Sequence, residues 1–166
     1  MTKKPLALCC SVLLVVAMTA LAPPAEARET QLKGQVLAAE KINPNRRGTA
    51  QPVKLHIFYL AEDDAFLQAN FGDLINPESP VLGKELIRRS EKLVGPGEML
   101  ELSESLDEAA AYIGIVAAFT DIGNASWRTV QALPVRKWTE VVRFAKGNKL
   151  EIRIDGTNVT SAIIKE

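Results

Sequence analysis

Cysteine is almost missing from this 166-residue chain: the two it has, Cys9 and Cys10, sit side by side in an apolar run near the N-terminus. No thiol follows residue 10, which excludes a disulfide framework, a cysteine metal ligand and a thiol nucleophile from the later chain. Histidine is scarcer still, with His56 alone. A lone imidazole builds no metal cage, and with no second histidine and no GxSxG elbow nothing activates a serine. An excess of either charge is missing too, since 20 Lys plus Arg stand against 20 Asp plus Glu. That balance gives neither nucleic acid nor an anionic membrane anything to hold.

What is present at the N-terminus reads as an export signal. Lys3 and Lys4 precede an uncharged, mostly apolar run from Leu6 to Ala22, and Ala25-Glu26-Ala27 supplies the small-x-small pattern that signal peptidase cleaves after. Residues 1–27 are therefore expected to be a signal peptide and residues 28–166 a single domain. The run also approaches the ~18 apolar residues of a spanning helix, so an uncleaved anchor is the alternative. Without Lys3, Lys4 and Glu26 the charges become 18 against 19, a net charge of −1. The 139 residues that remain of 166 suffice for one packed core.

The organising stretch is Tyr112 to Arg128. Ile113, Ile115, Ala117 and Phe119 alternate with Tyr112, Gly114, Val116 and Ala118, and both sets are apolar or small, as in a central strand buried on both faces. Asp121, Gly123, Asn124 and Ser126 then make a polar turn, and Thr129 to Leu133 returns as a strand. Upstream, Gln31 to Ile42 is a first strand and Asn43 to Gly48 a loop of turn residues. Val53 to Leu60 places Val53, Leu55, Ile57 and Tyr59 on one face, with Lys54, His56, Phe58 and Leu60 on the other. The spacing of Phe66, Leu67, Phe71 and Leu74 predicts a short helix from about Ala65 to Ile75, capped by Asp63 or Asp64 and stopped by Asn76-Pro77. Leu82 to Ile87 adds a helical turn before a strand from Arg89 to Val94, which ends at Gly95-Pro96-Gly97. Met99 to Leu106 is half exposed, Trp138 to Ala145 is a further strand, and Leu150 to Ile154 and Val159 to Ile164 flank a hairpin at Asp155 to Asn158. Seven to nine strands with one helical insertion give an all-β class and a two-sheet β-sandwich, with Leu55, Ile57, Ile113, Ile115 and Phe119 in one core.

Taken in order, INPN, VKLHIFYL, DDAFLQANFGDLI, SPVLGKELI, VGPGE and YIGIVAAFTDIGNASWR, from about Ile42 to Leu133, resemble the TssJ family, small outer-membrane lipoproteins of the bacterial type VI secretion system. Order and spacing carry the resemblance, since PG is only a turn and Trp-Arg only a dipeptide. It implies a transthyretin-like sandwich with a small helical insertion, in accord with the periodicity. It further implies a non-enzymatic component of the type VI membrane complex, in the periplasm at or near the outer membrane. There it would bind the periplasmic domain of a TssM-like inner-membrane protein, among the other proteins of that complex, without a cofactor or metal. The family's contact region is the loop between the first two strands, here Asn43 to Pro52. The partner-binding residues it implies are Asn43, Pro44, Asn45, Arg46, Arg47 and Gly48, with the arginines at the tip. Composition alone makes the same loop an ordinary solvated connection. In one respect the chain departs from the family: Leu6-Ala7-Leu8-Cys9 lies too early for a lipobox and has a bulky residue before the cysteine. Outer-membrane association would then not use an evident lipid anchor.

Two functional readings stand beside each other. One is an adaptor that binds a protein through a loop; the other is a periplasmic sandwich that binds or hydrolyses a small molecule. A deep cleft bringing His56 and Asp121 together would favour the second, and a filled interior with an exposed rigid loop the first. Asp121, Asn124 and Ser126 by themselves read as turn chemistry, Trp127 and Trp138 as core or sheet-edge aromatics, and the Asn124-Ala125-Ser126 and Asn158-Val159-Thr160 sequons as chance matches behind a bacterial-type signal. The processing expectation is testable by intact mass: the exported protein should begin at Arg28, and palmitate incorporation that is lost in Cys9→Ser would refute it.

Overall fold

The computed structural model describes residues 30–107, 109–134 and 148–165. Eight strands lie among them: β1 (Thr30–Ile42), β2 (Val53–Leu60), β3 (Leu86–Val94), β4 (Met99–Leu106), β5 (Tyr112–Ala118), β6 (Arg128–Ala132), β7 (Asn148–Gly156) and β8 (Asn158–Lys165). They form two four-stranded sheets, one in the order β4-β1-β7-β8 and one in the order β3-β2-β5-β6. All pairings are antiparallel except β1 with β7. The signal residues, including Ala25 and Ala27, and the strand expected at Trp138 to Ala145 lie outside the described residues.

Period-two alternation decides which side chains meet between the sheets. Leu55, Ile57 and Tyr59 of β2 and Ile113, Ile115 and Ala117 of β5 face Leu32 and Val36 of β1 and Leu150, Ile152 and Ile154 of β7, all buried in one cluster that also holds Phe119. The opposite phase of β2 and β5 is buried as well. There Phe58, Leu60 and Val116 pack under the segment between β2 and β3, against Phe66, Ala69, Leu74 and Leu82.

That segment differs from the single helix the spacing predicts. It is two one-turn helices, α1 (Asp64–Gln68) and α2 (Phe71–Ile75), and a 3-10 turn at Gly83–Glu85. The chain turns extended at Ala69, and the Asn70 side chain then accepts from the Asp73 amide at 2.9 Å and starts a new helix. Asp63 makes no side-chain cap; the Ala65 amide instead donates to the Glu85 carboxylate at 3.0 Å. Because the helical turn ends at Glu85, β3 begins at Leu86 rather than Arg89. The insertion is fixed to the sheet by shape and by hydrogen bonds. Arg128 donates to the carbonyls of Phe66 and Ala69 at 2.9 and 3.0 Å, and Trp127 meets Phe71 edge to face at 5.3 Å. Gly114 leaves the space the Phe66 ring fills, since a Cβ there would stand 2.6 Å from that ring.

The two long sides of the sandwich close differently. On one, the β6 and β8 edges are joined by backbone bonds around Ser126, from Ser126 to Thr157 and from Val159 to Ser126, and by the Thr129 and Ser161 hydroxyls at 3.1 Å. On the other, β4 turns Glu104 inward, in phase with Leu102 and Leu106. Its carboxylate accepts from the Tyr59 hydroxyl at 2.7 Å, Arg88 at 2.9 Å and Ser90 at 3.2 Å, and pairs with Lys92 at 3.1 Å. Burial alone would raise the Glu104 pKa, but bonds from Tyr59, Lys92 and Arg88 outweigh it and hold the group below the usual carboxylate range. Burial and then the same carboxylate push the Tyr59 phenol upward.

A carboxylate depressed in the fold stabilises it fully above its unfolded pKa, near 4.5, and that contribution is lost as pH falls through the folded value. Glu104→Gln should accordingly cost about 1–3 kcal/mol at neutral pH, by leaving charged donors poorly paired, and should flatten the acid limb of the stability curve. Urea unfolding at several pH values measures both effects.

Candidate functional site

The loop between β1 and β2 is held from below by one residue. Asn43 is buried, with 5% of its surface exposed, and its backbone takes φ 45°, a left-handed conformation that asparagine tolerates better than most residues. Its amide donates to the Gly156 carbonyl at 2.8 Å, its Nδ2 to the Pro52 carbonyl at 2.8 Å, and its Oδ1 accepts from the Thr120 amide at 2.7 Å. One residue thus joins the two ends of the loop to the end of β5 through its side chain and to the β7–β8 turn through its backbone amide.

Above it the loop bonds to itself. Asn45 Oδ1 accepts from the amides of Arg47 and Thr49 at 2.9 and 3.0 Å, the Asn45 amide donates to Thr49, and Gly48, at φ 76°, donates back to the Asn45 carbonyl at 2.8 Å. Pro44 and Asn45 are half-buried. Arg46, Arg47 and Gly48 are exposed, and neither guanidinium has a partner among the described residues. The consequence is an internally hydrogen-bonded loop displaying two exposed positive charges. The β3–β4 turn lies against the later part of β1, where the Gly97 amide donates to the Ala39 carbonyl at 3.0 Å. Leu93 and Met99 flank this turn and are 66% and 67% exposed. Sequence reasoning saw only a breaker at Gly95-Pro96-Gly97. The available signal was an apolar residue on the outward phase at the end of each strand.

The residues of the small-molecule reading go to separate places. His56 is buried on the outer face of its sheet, with Nδ1 2.7 Å from Arg89 and 2.9 Å from Glu91. Its pKa is lowered, first by burial and then by the Arg89 charge, against the opposing pull of Glu91. Asp121 lies beyond β5 and accepts from Asn124 at 2.9 Å, while Ser126 is taken up in the β6–β8 seam. Trp127 packs partly buried against both hydrophobic clusters. Among the described residues no three His, Cys, Asp or Glu side chains gather as a metal site.

Comparison with known proteins supplies what geometry cannot. The T6SS-SciN family model, described as type VI secretion lipoprotein (VasD, EvfM, TssJ), matches residues 30–157. The crystal structure of the T6SS lipoprotein TssJ1 from Pseudomonas aeruginosa is 28% identical with a TM-score of 0.72, over 83% of this chain and 98% of that one. Lip from Serratia marcescens, a membrane-bound component of the type VI secretion system, is 23% identical with a TM-score of 0.70, over 81% and 96%. A chain in the structure of the T6SS protein TssM C-terminal domain (869–1107) from EAEC matches at 22% identity and a TM-score of 0.64, over 79% and 99%. The last two likenesses concern the fold. Comparison with curated proteins gave no match.

The brace under the loop is open to a direct check. Asn43→Ala removes both side-chain bonds and puts a Cβ-bearing residue without a polar group at positive φ, and should cost about 2–4 kcal/mol in urea unfolding. Asn43→Gly, which keeps the backbone conformation and loses the same bonds, should cost about 1 kcal/mol less.

Proposed function

Since the chain belongs to the type VI secretion lipoprotein family that includes TssJ, we propose that it is a structural, non-enzymatic component of the type VI membrane complex, docking in the periplasm, at or near the outer membrane, onto the periplasmic domain of a TssM-like inner-membrane protein. The observation that carries this reading is the braced loop. Asn43 and Asn45 fix its backbone before any partner arrives, so little ordering entropy is lost on binding, and Arg46 and Arg47 present planar donor forks suited to carboxylates. The interior is filled by side chains of both sheets. His56 and Asp121, the pair a small-molecule site would need, are bonded to different partners.

Titration of the purified partner domain tests the proposal. Arg46→Glu combined with Arg47→Glu should leave the fold intact, since both side chains are exposed. It should weaken binding by ~2 kcal/mol or more where an arginine is desolvated in the contact, and by less if both sit on the rim. Equal affinities, with circular dichroism as the folding control, would take the arginines out of the interface. Failure of the unaltered protein to bind would refute the adaptor reading.

A further inference from the structure

Outside the loop, the most unusual polar arrangement surrounds His56. Its Nδ1 stands 2.7 Å from Nη2 of Arg89 and 2.9 Å from Oε1 of Glu91. A guanidinium has only donors and an ionised carboxylate only acceptors, so no single protonation state of Nδ1 satisfies both neighbours. Neutral, the nitrogen accepts from Arg89 and faces Glu91 lone pair to lone pair. Protonated, it donates to Glu91 and sets a positive ring against Arg89.

Arg89 is also what ties α2 to the sheet on this side. The same Nη2 donates to the Ile75 carbonyl, the last of α2, at 3.0 Å, and its guanidinium carbon lies 5.2 Å from the centre of the Phe58 ring that the insertion covers. Two hydrogens on Nη2 are shared among three acceptors, His56, Ile75 and, at 3.2 Å, Glu91. The charged groups facing the ring are Arg89 and Glu91 of β3 and Lys54 of β2, whose ammonium pairs with Glu91 at 3.3 Å. On β5 the residue opposite is Val116, buried and uncharged. From α2 the group that reaches the cluster is the Ile75 carbonyl.

We propose that His56 is a proton-operated latch on the helical insertion: a proton on Nδ1 moves this atom from Arg89 to Glu91, sets like charges together and withdraws Arg89 from the end of α2. Burial and Arg89 favour the neutral ring, so the latch is closed at neutral pH. The mild burial of Glu91 is outweighed by the Lys54 hydrogen bond and, once the ring is protonated, by the His56 charge, so that this carboxylate is ionised and ready as the second partner. The sign follows from linkage. A histidine lowered in the fold contributes stability that is complete above its unfolded value of 6.5 and is lost as pH falls through 6.5 toward the folded value. The latch therefore stays closed through neutral pH and opens only below 6.5, as the folded ring itself takes up its proton.

Nitrogen NMR of the full chain reads the ring, and native-state amide exchange reads the insertion. Near neutral pH, Nδ1 should carry no proton. As the ring titrates, exchange at the α2 amides of Leu74, Ile75 and Asn76, corrected for its intrinsic pH dependence, should rise by about fivefold or more, while the core amides of Ile113 and Ile115 hold. In His56→Gln the α2 amides should lose this rise, because an amide side chain takes up no proton. A proton on Nδ1 of the neutral ring would overturn the proposal, as would α2 exchange unchanged through the titration. So would a rise that persists in His56→Gln, which would assign the loosening to carboxylates such as Glu85.

Discussion

A buried carboxamide sets where the exposed end of this molecule can be. Asn43 has two side-chain atoms of opposite polarity, and they meet an amide and a carbonyl from segments far apart in the chain. A side chain of single polarity could keep only one of the two bonds. Its backbone, held in the left-handed region, turns the chain out of β1 at the level where β5 ends and β7 turns. The direction of the projecting loop is therefore decided inside the sandwich and not by the arginines it displays.

The remaining cohesion comes from packing with two polar supplements, a design suited to a domain whose chain has no cysteine beyond residue 10. Glu104 gathers donors from β2 and β3 onto β4, so one carboxylate draws two sheets together along an edge that no backbone ladder crosses among the described residues. Arg128 and Arg89 do the corresponding work for the insertion, each holding carbonyls at the end of a one-turn helix. Helices this short have no independent stability, and their shape is owed to the sheet beneath them.

Much of this was legible in the sequence, and the limits are physical. Strand phase could be read because successive side chains point to opposite faces: VKLHIFYL keeps Leu55, Ile57 and Tyr59 together, and the two-faced burial of β5 shows as apolar or small residues throughout. The break at Ala69–Asn70 could not be read from apolar spacing, which runs across it; only the capping preference of Asn70 hints at it. Glu104 was hidden because a carboxylate in a half-exposed strand looks like a surface residue, and its donors sit on other strands. Gly114 was legible as small but not as necessary, since its reason is the Phe66 ring. Asn43 could be read as a turn residue, whereas its burial depends on Thr120 and Gly156, brought beside it only by the fold. The tip arginines were singled out by family resemblance; their exposure is visible in the structure.

The parallel pairing of β1 with β7 has a kinetic consequence. One sheet is gathered wholly from residues 53–132, but the other waits for Gly34 to find Leu150, and at that crossing a Cβ on residue 34 would stand 2.6 Å from the Leu150 carbonyl. Loop closure over so long a separation must be met before its contacts form, an entropic cost that grows with the sequence separation of the pair. Until β7 arrives, β1 has a bare edge and an uncovered apolar face at Leu32 and Val36. That half-built strand is the segment a chaperone would have most reason to cover, and the stretch from which wrong pairings between two unfinished copies would start.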